Sequence, residues 1–163
     1  MKKQTLTRTT VVRGGSKKRG AQPDNFMSLK IEAITKNEAF ARSVVAAFCA
    51  SVNPTIEQLN DIKTAVSEAV TNSIVHGYNG RGGIITINAS LFARSVHIEI
   101  VDSGTGIIDI ETARKPFYTT RASEERAGMG FTVMESFMDE ISVVSPATGG
   151  LKVKLVKHFD AIA

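Results

Sequence analysis

Apolar and polar residues alternate in five separate stretches of the chain, and this two-residue period is typical of β-strands with one buried face. In the first stretch, polar residues separate Leu29, Ile31 and Ala33. The short link at residues 92–95 joins the second stretch to the third and predicts an antiparallel hairpin. The five stretches cover residues 29–33, 85–91, 96–100, 141–143 and 151–155.

Two helices are predicted to begin with capping boxes, in which two residues three apart satisfy each other's backbone N–H groups. Thr35 with Glu38 opens the first helix, and Thr55 with Gln58 opens the second. The break between them is the dipeptide Asn53-Pro54. One face of the first helix is expected to pack on the core, and it consists of Phe40, Val44, Ala47 and Phe48.

The second helix is expected to run to about His76 and to stop at Gly77, since glycine suits the backbone conformation that ends helices. A third helix is predicted over residues 130–138. Residues 103–127 are too long and polar for an ordinary connection, which favours a functional loop or lid. The apolar stripe of the second helix is Ile56, Leu59, Ile62, Val66, Val70 and Ile74.

The order of these elements predicts the fold class. Helices do not separate the strands one by one, so a doubly wound parallel sheet is not expected. We predict an α/β protein of the α+β kind, a two-layer sandwich with helices on one face of a mixed, mostly antiparallel sheet. The 163 residues, 42% of them hydrophobic, suit one domain with a substantial core.

Positive charge is concentrated at the N-terminus. Residues 1–25 hold seven Lys or Arg against one acid, whereas the remainder holds thirteen bases and fifteen acids. We therefore predict a basic, disordered extension over residues 1–26 and a folded domain over residues 27–160. Two alternatives stay open for the extension: a weak role at a nucleic-acid or membrane surface, and translation that begins at Met27. Because the basic pI comes from the extension, no direct nucleic-acid partner is expected.

Compartment and membrane association follow from simple counts. No apolar run approaches the ~20 residues of a membrane span, and no secretory signal follows the first basic residues. Cys49 is the single cysteine, which excludes an internal disulfide. Its apolar neighbours favour a buried, inert thiol. These features predict a cytoplasmic protein without a membrane partner.

The first block with potential chemistry is Glu68-Ala69-Val70-Thr71-Asn72, inside the second helix. Glu68 and Asn72 are four residues apart and project side by side, roughly opposite the apolar stripe. An amide oxygen can ligate Mg²⁺, and a carboxylate can accept a proton from an attacking hydroxyl. A solvated polar face is the alternative for this pair taken alone.

The second block is Asp102-Ser103-Gly104-Thr105-Gly106, at the end of a predicted strand. Glycines permit close approach of backbone to a planar base, and a buried carboxylate can accept a hydrogen bond from the amine of adenine. An Asp-rich turn is the alternative. The block lacks the third glycine of a dinucleotide fingerprint, and the chain has no P-loop.

The third block is Arg126-Ala127-Gly128-Met129-Gly130, before the third helix. Free N–H groups at a helix N-terminus bind phosphate, and glycines let the phosphate approach them. Arg126 could neutralise charge on a transferring phosphoryl group. The other bases of the preceding loop are interpreted as solubilising charges. These are Arg114, Lys115 and Arg121.

In this order the three blocks resemble the N, G1 and G2 boxes of the GHKL ATPase superfamily, whose nucleotide-binding domain is the Bergerat fold. The flanking sequences resemble anti-sigma factors that are also serine kinases, and in particular those of the sporulation type. The similarity extends from about Met27 to His158. Its most specific segments are residues 37–42 (NEAFAR), 67–78 (SEAVTNSIVHGY) and 125–135 (ERAGMGFTVME).

The resemblance implies a role for each matching residue. Glu68 would be the catalytic base, Asn72 the Mg²⁺ ligand and Asp102 the adenine reader. Arg126 would act in catalysis at the γ-phosphate, and Arg42 would belong to a partner-binding surface. The remaining nucleotide-binding residues would be Gly104, Gly106, Thr119, Thr120, Gly128, Met129 and Gly130.

The resemblance also implies ATP and Mg²⁺ as cofactors and a homodimer as the assembly. The protein would hold a sigma factor of the sigma F type and would phosphorylate a serine on a small anti-anti-sigma protein. Two alternatives stay open: a general-stress kinase of the same family, and a nucleotide-gated anti-sigma module without kinase activity. Leu151 and Ser103 depart from the residues usual in the family, which could lower adenine affinity.

Overall fold

The computed structural model describes residues 10–12, 22–113, 115 and 130–160 of the protein, and a six-stranded sheet dominates it. The strands are β1 (Thr10–Val12), β2 (Asn25–Glu32), β3 (Ile84–Phe92), β4 (Ser95–Asp102), β5 (Glu140–Val144) and β6 (Leu151–His158). They lie in the order β1-β5-β6-β4-β3-β2. Every pairing among these residues is antiparallel, so the mixed sheet that we predicted is not observed there.

The five predicted strands and the hairpin between β3 and β4 are confirmed. The sixth strand, β1, falls within the N-terminal extension and was not predicted, and it pairs with residues 141–143 of β5. Strand β2 begins at Asn25, two residues before the predicted start of the domain. Residues 1–9 and 13–21 of the extension lie outside the described residues, so its predicted disorder stays a prediction.

Helices cover one face of the sheet and form the second layer of an α+β sandwich, as predicted. The inward-facing strand residues are nearly fully buried and belong to the same apolar cluster as the buried helix residues. The opposite face carries polar residues such as Ser28, Glu99 and Lys154. The helices are α1 (Lys36–Cys49), α2 (Ile56–Asn72), α3 (Ile110–Ala113) and α4 (Gly130–Phe137).

Helix α2 lies at the centre of the helical layer and contacts α1, α4 and β6. Ile62, Val66 and Val70 of its predicted stripe are fully buried. Ile56, however, is 80% exposed, because the stripe leaves the core at the first turn of the helix. A π-helical turn at Ser73–Gly77 continues the helix, so it ends at the predicted Gly77.

Helix α1 is rotated relative to our prediction. Its buried face consists of Ala41, Val45, Ala46 and Cys49, whereas Phe40 is 51% exposed. Small side chains let a helix approach its neighbour closely, and burial of the large Phe40 ring would hold α1 farther from α2. The apolar period alone could not distinguish these two adjacent faces.

The two predicted capping boxes have different outcomes. At α2, Thr55 N donates to Gln58 Oε1 at 3.0 Å and Gln58 N donates to Thr55 Oγ1 at 3.1 Å, so that box is confirmed. At α1, Thr35 already has helical backbone angles and its side chain makes no capping bond. Glu38 instead accepts hydrogen bonds from Ser67 and Arg42, which makes the prediction of a box at Thr35 wrong.

Two further observations bear on the predictions from composition. None of the helices in the described part of the chain is long and apolar enough to cross a membrane. Cys49 is buried between the helices and the sheet, and this burial raises its pKa to about 12. The thiol is therefore protonated at neutral pH, as expected of a structural cysteine.

Candidate functional site

Glu68 and Asn72 of the first sequence block lie against Gly130, the one described residue of the third block, where α2 faces the N-terminus of α4. A Cβ atom added at Gly130 would lie 3.1 Å from Asn72 Nδ2, 3.2 Å from Asn72 Oδ1 and 3.3 Å from Glu68 Oε2. Both polar side chains are half-buried. The first residue of α4 thus lies directly against the predicted base and the predicted metal ligand, and its lack of a side chain allows this approach.

Asp102 ends β4 and is 4% exposed, so its carboxylate depends on protein hydrogen bonds. Its Oδ2 accepts a 2.6 Å hydrogen bond from Ser73 Oγ, and its Oδ1 accepts one of 3.0 Å from Gly104 N. Each carboxylate oxygen has a second lone pair. The group is therefore fixed in orientation while it keeps acceptor capacity for the amine of a base.

Three glycines allow the backbone around Asp102 to pack closely. A Cβ at Gly104 would lie 2.2 Å from Gly77 O, and one at Gly77 would lie 3.2 Å from the Asp102 carboxylate. Thr105 N also donates to Gly77 O at 2.9 Å. Gly106 has φ +73°, in the left-handed region that favours glycine. The end of α2 and the loop after β4 thus pack backbone against backbone.

The turn between β5 and β6 holds this loop from the other side. Ser145 Oγ accepts from Ile107 N at 2.8 Å and donates to Gly150 O at 2.9 Å. Gly150 N donates to Gly104 O at 2.7 Å. Leu151 is paired with Asp102 and buried, so the residue in place of the family's threonine offers no hydroxyl there.

The structure brings two groups of residues to the C-terminal end of α2: Glu68 and Asn72 with Gly130, and Asp102 with the loop that follows it. Asn72 is the last residue of α2 before the π-helical turn, and Ser73, which binds Asp102, begins that turn. Sequence reasoning missed Ser73, Tyr78 and Ser145. Ser73 could have been found by its position beside Asn72, whereas the other two contact the loop after β4 from 25 and 38 residues away and have no local signal.

Of the remaining predicted residues, Arg42 is described and five others lie outside the described residues. Arg42 is described, with a half-exposed side chain 3.2 Å from Glu38 Oε1 and 3.4 Å from Ser67 Oγ. Its role at a partner surface stays a prediction. The predicted residues that the structure does not describe are Arg126, Thr119, Thr120, Gly128 and Met129.

The side chains near Gly130 could bind a magnesium ion that is also held by a nucleotide. Within residues 10–12, 22–113, 115 and 130–160, no three His, Cys, Asp or Glu side chains are grouped to hold a metal. Asn72 Oδ1 is the type of neutral oxygen that Mg²⁺ accepts, and Mg²⁺ often binds through one or two protein oxygens plus phosphates and water. The residues present fit a magnesium ion that enters with a nucleotide.

Residues 31–157 match the family model of the histidine kinase-like ATPase domain. The anti-sigma F factor of Thermoanaerobacter sp. (strain X514) is 55% identical over 134 residues, which cover 82% of this chain and 94% of that protein. The anti-sigma F factor of Clostridium acetobutylicum is 51% identical over 139 residues, which cover 85% and 97%.

Solved structures agree on the fold. The RsbU and RsbW domains of a Mycobacterium tuberculosis protein superpose with a TM-score of 0.63 at 19% identity, covering 86% of this chain and 34% of that one. The catalytic domain of the histidine kinase ThkA gives 0.52 at 15% identity, covering 83% and 96%. The family model and the curated relatives place the chain in the anti-sigma F factor family of histidine kinase-like ATPase domains.

Proposed function

We propose that the protein is an anti-sigma factor and an ATP-dependent serine kinase. It would bind a sigma factor of the sigma F type and phosphorylate a serine on a small anti-anti-sigma protein. The observation that carries the proposal is the convergence of Glu68 and Asn72 on Gly130, next to a buried Asp102 that is fixed by Ser73 and Gly104. The names of the curated relatives support the anti-sigma part.

Asp102 would orient the nucleotide. Its carboxylate would accept a hydrogen bond from the exocyclic amine of adenine, and the backbone of residues 104–106 would let the base approach. The phosphates would then extend along the end of α2 toward the N-terminus of α4, where Gly130 lies against Asn72. Backbone N–H groups at a helix N-terminus stabilise phosphate oxygens.

Glu68 would act as general base. The serine Oγ attacks the γ-phosphorus as its proton passes to the Glu68 carboxylate, and the bond from that phosphorus to the bridging oxygen breaks to release ADP. Bound Mg²⁺ would supply charge neutralisation between phosphates, with Asn72 Oδ1 as its ligand from the protein. Arg126 would stabilise the charge of the transferring group.

A partner surface on α1 would involve Arg42. Its guanidinium contacts Glu38 and Ser67, and Ser67 precedes the proposed base directly. A homodimer is part of the proposal, as is a phosphorylation that inactivates the anti-anti-sigma protein. The alignments with the two anti-sigma F factors cover at least 94% of each relative, which supports the proposal that this chain shares these properties with them.

The test uses Glu68→Gln, which keeps the shape of the side chain and removes the base. We expect phosphorylation of the acceptor to fall at least ~100-fold, since general-base catalysis contributes about 10²–10⁴-fold, while ATP binding stays within a factor of two or three. Glu57→Gln is the matched control, because Glu57 is exposed on the first turn of the same helix.

Three results separate the possibilities. Transfer at the parent rate by Glu68→Gln would contradict the assignment of the base. A parent protein that binds ATP and a sigma factor but transfers no phosphate would be a nucleotide-gated binding module. A parent that phosphorylates an acceptor and captures a general-stress sigma factor, and not one of the sigma F type, would belong to the other branch of the family.

A further inference from the structure

Tyr78 connects three segments that are distant in the sequence. It follows the π-helical turn at the end of α2, and its backbone N–H donates to Ser73 O at 2.9 Å. Its hydroxyl accepts a 2.9 Å hydrogen bond from Ser103 N and donates one of 2.6 Å to Ile84 O. The hydroxyl therefore ties the loop after Asp102 to the first residue of β3.

The ring of Tyr78 lies directly against the backbone of Gly83. A Cβ atom at Gly83 would lie 2.2 Å from Cε1 and 2.5 Å from Cδ1 of the ring, so only glycine fits while the ring keeps this position. Gly83 O in turn accepts a 2.8 Å hydrogen bond from Ala33 N, which fixes the backbone beneath the ring. The position of the hydroxyl thus depends on its own two hydrogen bonds and on the packing of the ring against Gly83.

The bond to Ser103 matters because of what flanks that residue. Asp102 precedes it, and Gly104, which follows it, donates from its N–H to Asp102 Oδ1. A rotation of the peptide between Asp102 and Ser103 would change the orientation of the Asp102 carboxylate. It would also move the Gly104 N–H that donates to this carboxylate. The Tyr78 hydroxyl therefore binds the peptide that directly follows Asp102.

We propose that Tyr78 is a positioning residue that sets the preference of the site for adenine over bases without an exocyclic amine. The inference rests on the proposed nucleotide site. Tyr78 acts at the Asp102 end, whereas phosphoryl transfer is proposed at Glu68 and Asn72. Loss of its hydroxyl should therefore alter base selection and nucleotide affinity and leave the turnover number nearly unchanged.

The test compares ADP with inosine diphosphate, which carries a carbonyl oxygen in place of the adenine amine. Binding of both to the full chain and to Tyr78→Phe is measured by calorimetry. We expect ADP affinity to fall about 5- to 10-fold, the loss that one net hydrogen bond of ~1–1.4 kcal/mol produces. The ratio of ADP to inosine diphosphate affinity should fall by a similar factor, with kcat within twofold.

A second variant approaches the same hydroxyl from the other side. In Gly83→Ala the tyrosine is intact, but the added Cβ must displace its ring. We expect the same fall in the affinity ratio. Gly82→Asn is the matched control, because an added Cβ there meets no atom within 4 Å and Asn tolerates its φ of +80°.

The outcomes are distinguishable. An unchanged ratio in Tyr78→Phe, even with lower affinity for both nucleotides or a lower melting temperature, means a merely structural role and overturns the inference alone. A parent chain that binds neither nucleotide overturns the proposed function as well. Faster hydrogen exchange of the Ser103 amide in Tyr78→Phe is the further expected result, and an unaltered exchange rate would contradict the inference.

Discussion

Ser73 Oγ donates a 2.6 Å hydrogen bond to Asp102 Oδ2, and both residues are buried, with 2% and 4% of their surface exposed. The bond joins the turn after α2 to the end of β4, across 29 residues of sequence. It places the proposed adenine reader beside the helix that carries the proposed base and metal ligand. A hydrogen bond to a charged acceptor in such surroundings is stronger than one between neutral groups.

Ser73→Ala should therefore weaken both the fold and the nucleotide site. We expect the free energy of unfolding to fall by about 1.5–3 kcal/mol, the typical contribution of a hydrogen bond to a charged group, and ADP affinity to fall with it. Denaturant unfolding and calorimetry measure the two effects. Ser43→Ala is the control, because Ser43 is exposed and its hydroxyl donates to Ala39 O within α1. Equal effects of the two substitutions would contradict the prediction.

Gly104→Ala should disrupt the site more severely. Its Cβ would lie 2.2 Å from Gly77 O and 2.4 Å from Gly77 C, and backbone atoms cannot move aside as a flexible side chain can. We expect a loss of stability of about 1–3 kcal/mol from overpacking, together with at least tenfold weaker nucleotide binding. Ser103→Ala, at the exposed neighbouring position, should leave both nearly unchanged. If Gly104→Ala bound ADP as tightly as the parent, the close packing of Gly104 against Gly77 would be contradicted.

His97 should make stability depend on pH. Partial burial lowers its pKa below 6.5, and nearby His158 acts in the same direction, whereas Glu140 opposes the shift. Just below pH 6.5 the unfolded state then binds more protons at this position than the folded state, so stability rises with pH through that window. His97→Asn should flatten the rise. Unfolding curves of the two chains between about pH 5 and 7.5 test this, and a constant difference between them would count against it.

Cys49 should be unreactive in the folded protein. The thiol is buried and its pKa is raised to about 12, so almost no thiolate is present at neutral pH. We expect a colourless disulfide reagent that releases a coloured thiolate to react at least ~100-fold faster after unfolding in denaturant, since the thiolate is the nucleophile. Equal rates before and after unfolding would show that this side chain is not buried in the core of the folded protein.

Much of the fold could be predicted from the sequence because the relevant signals are local. Alternation of apolar residues in five stretches, the Thr55–Gln58 box and Gly77 each act over a few residues, and the structure confirms all of them. The face of α1 could not be predicted in this way. Phe40 and Ala41 differ by one residue in the helical period, and the choice between them depends on how closely α2 approaches.

Residue types and their order along the chain were enough to identify the chemical groups of the site: Glu68 with Asn72, Asp102 with its glycines, and Gly130. The way in which these groups are held depends on tertiary contacts. Ser73, Tyr78 and Ser145 bond to the Asp102 loop from 25 to 38 residues away, and Gly77 and Gly104 matter because their backbones touch. Hydrogen bonds and steric contacts depend on distance in space, and a residue pattern records only distance along the chain.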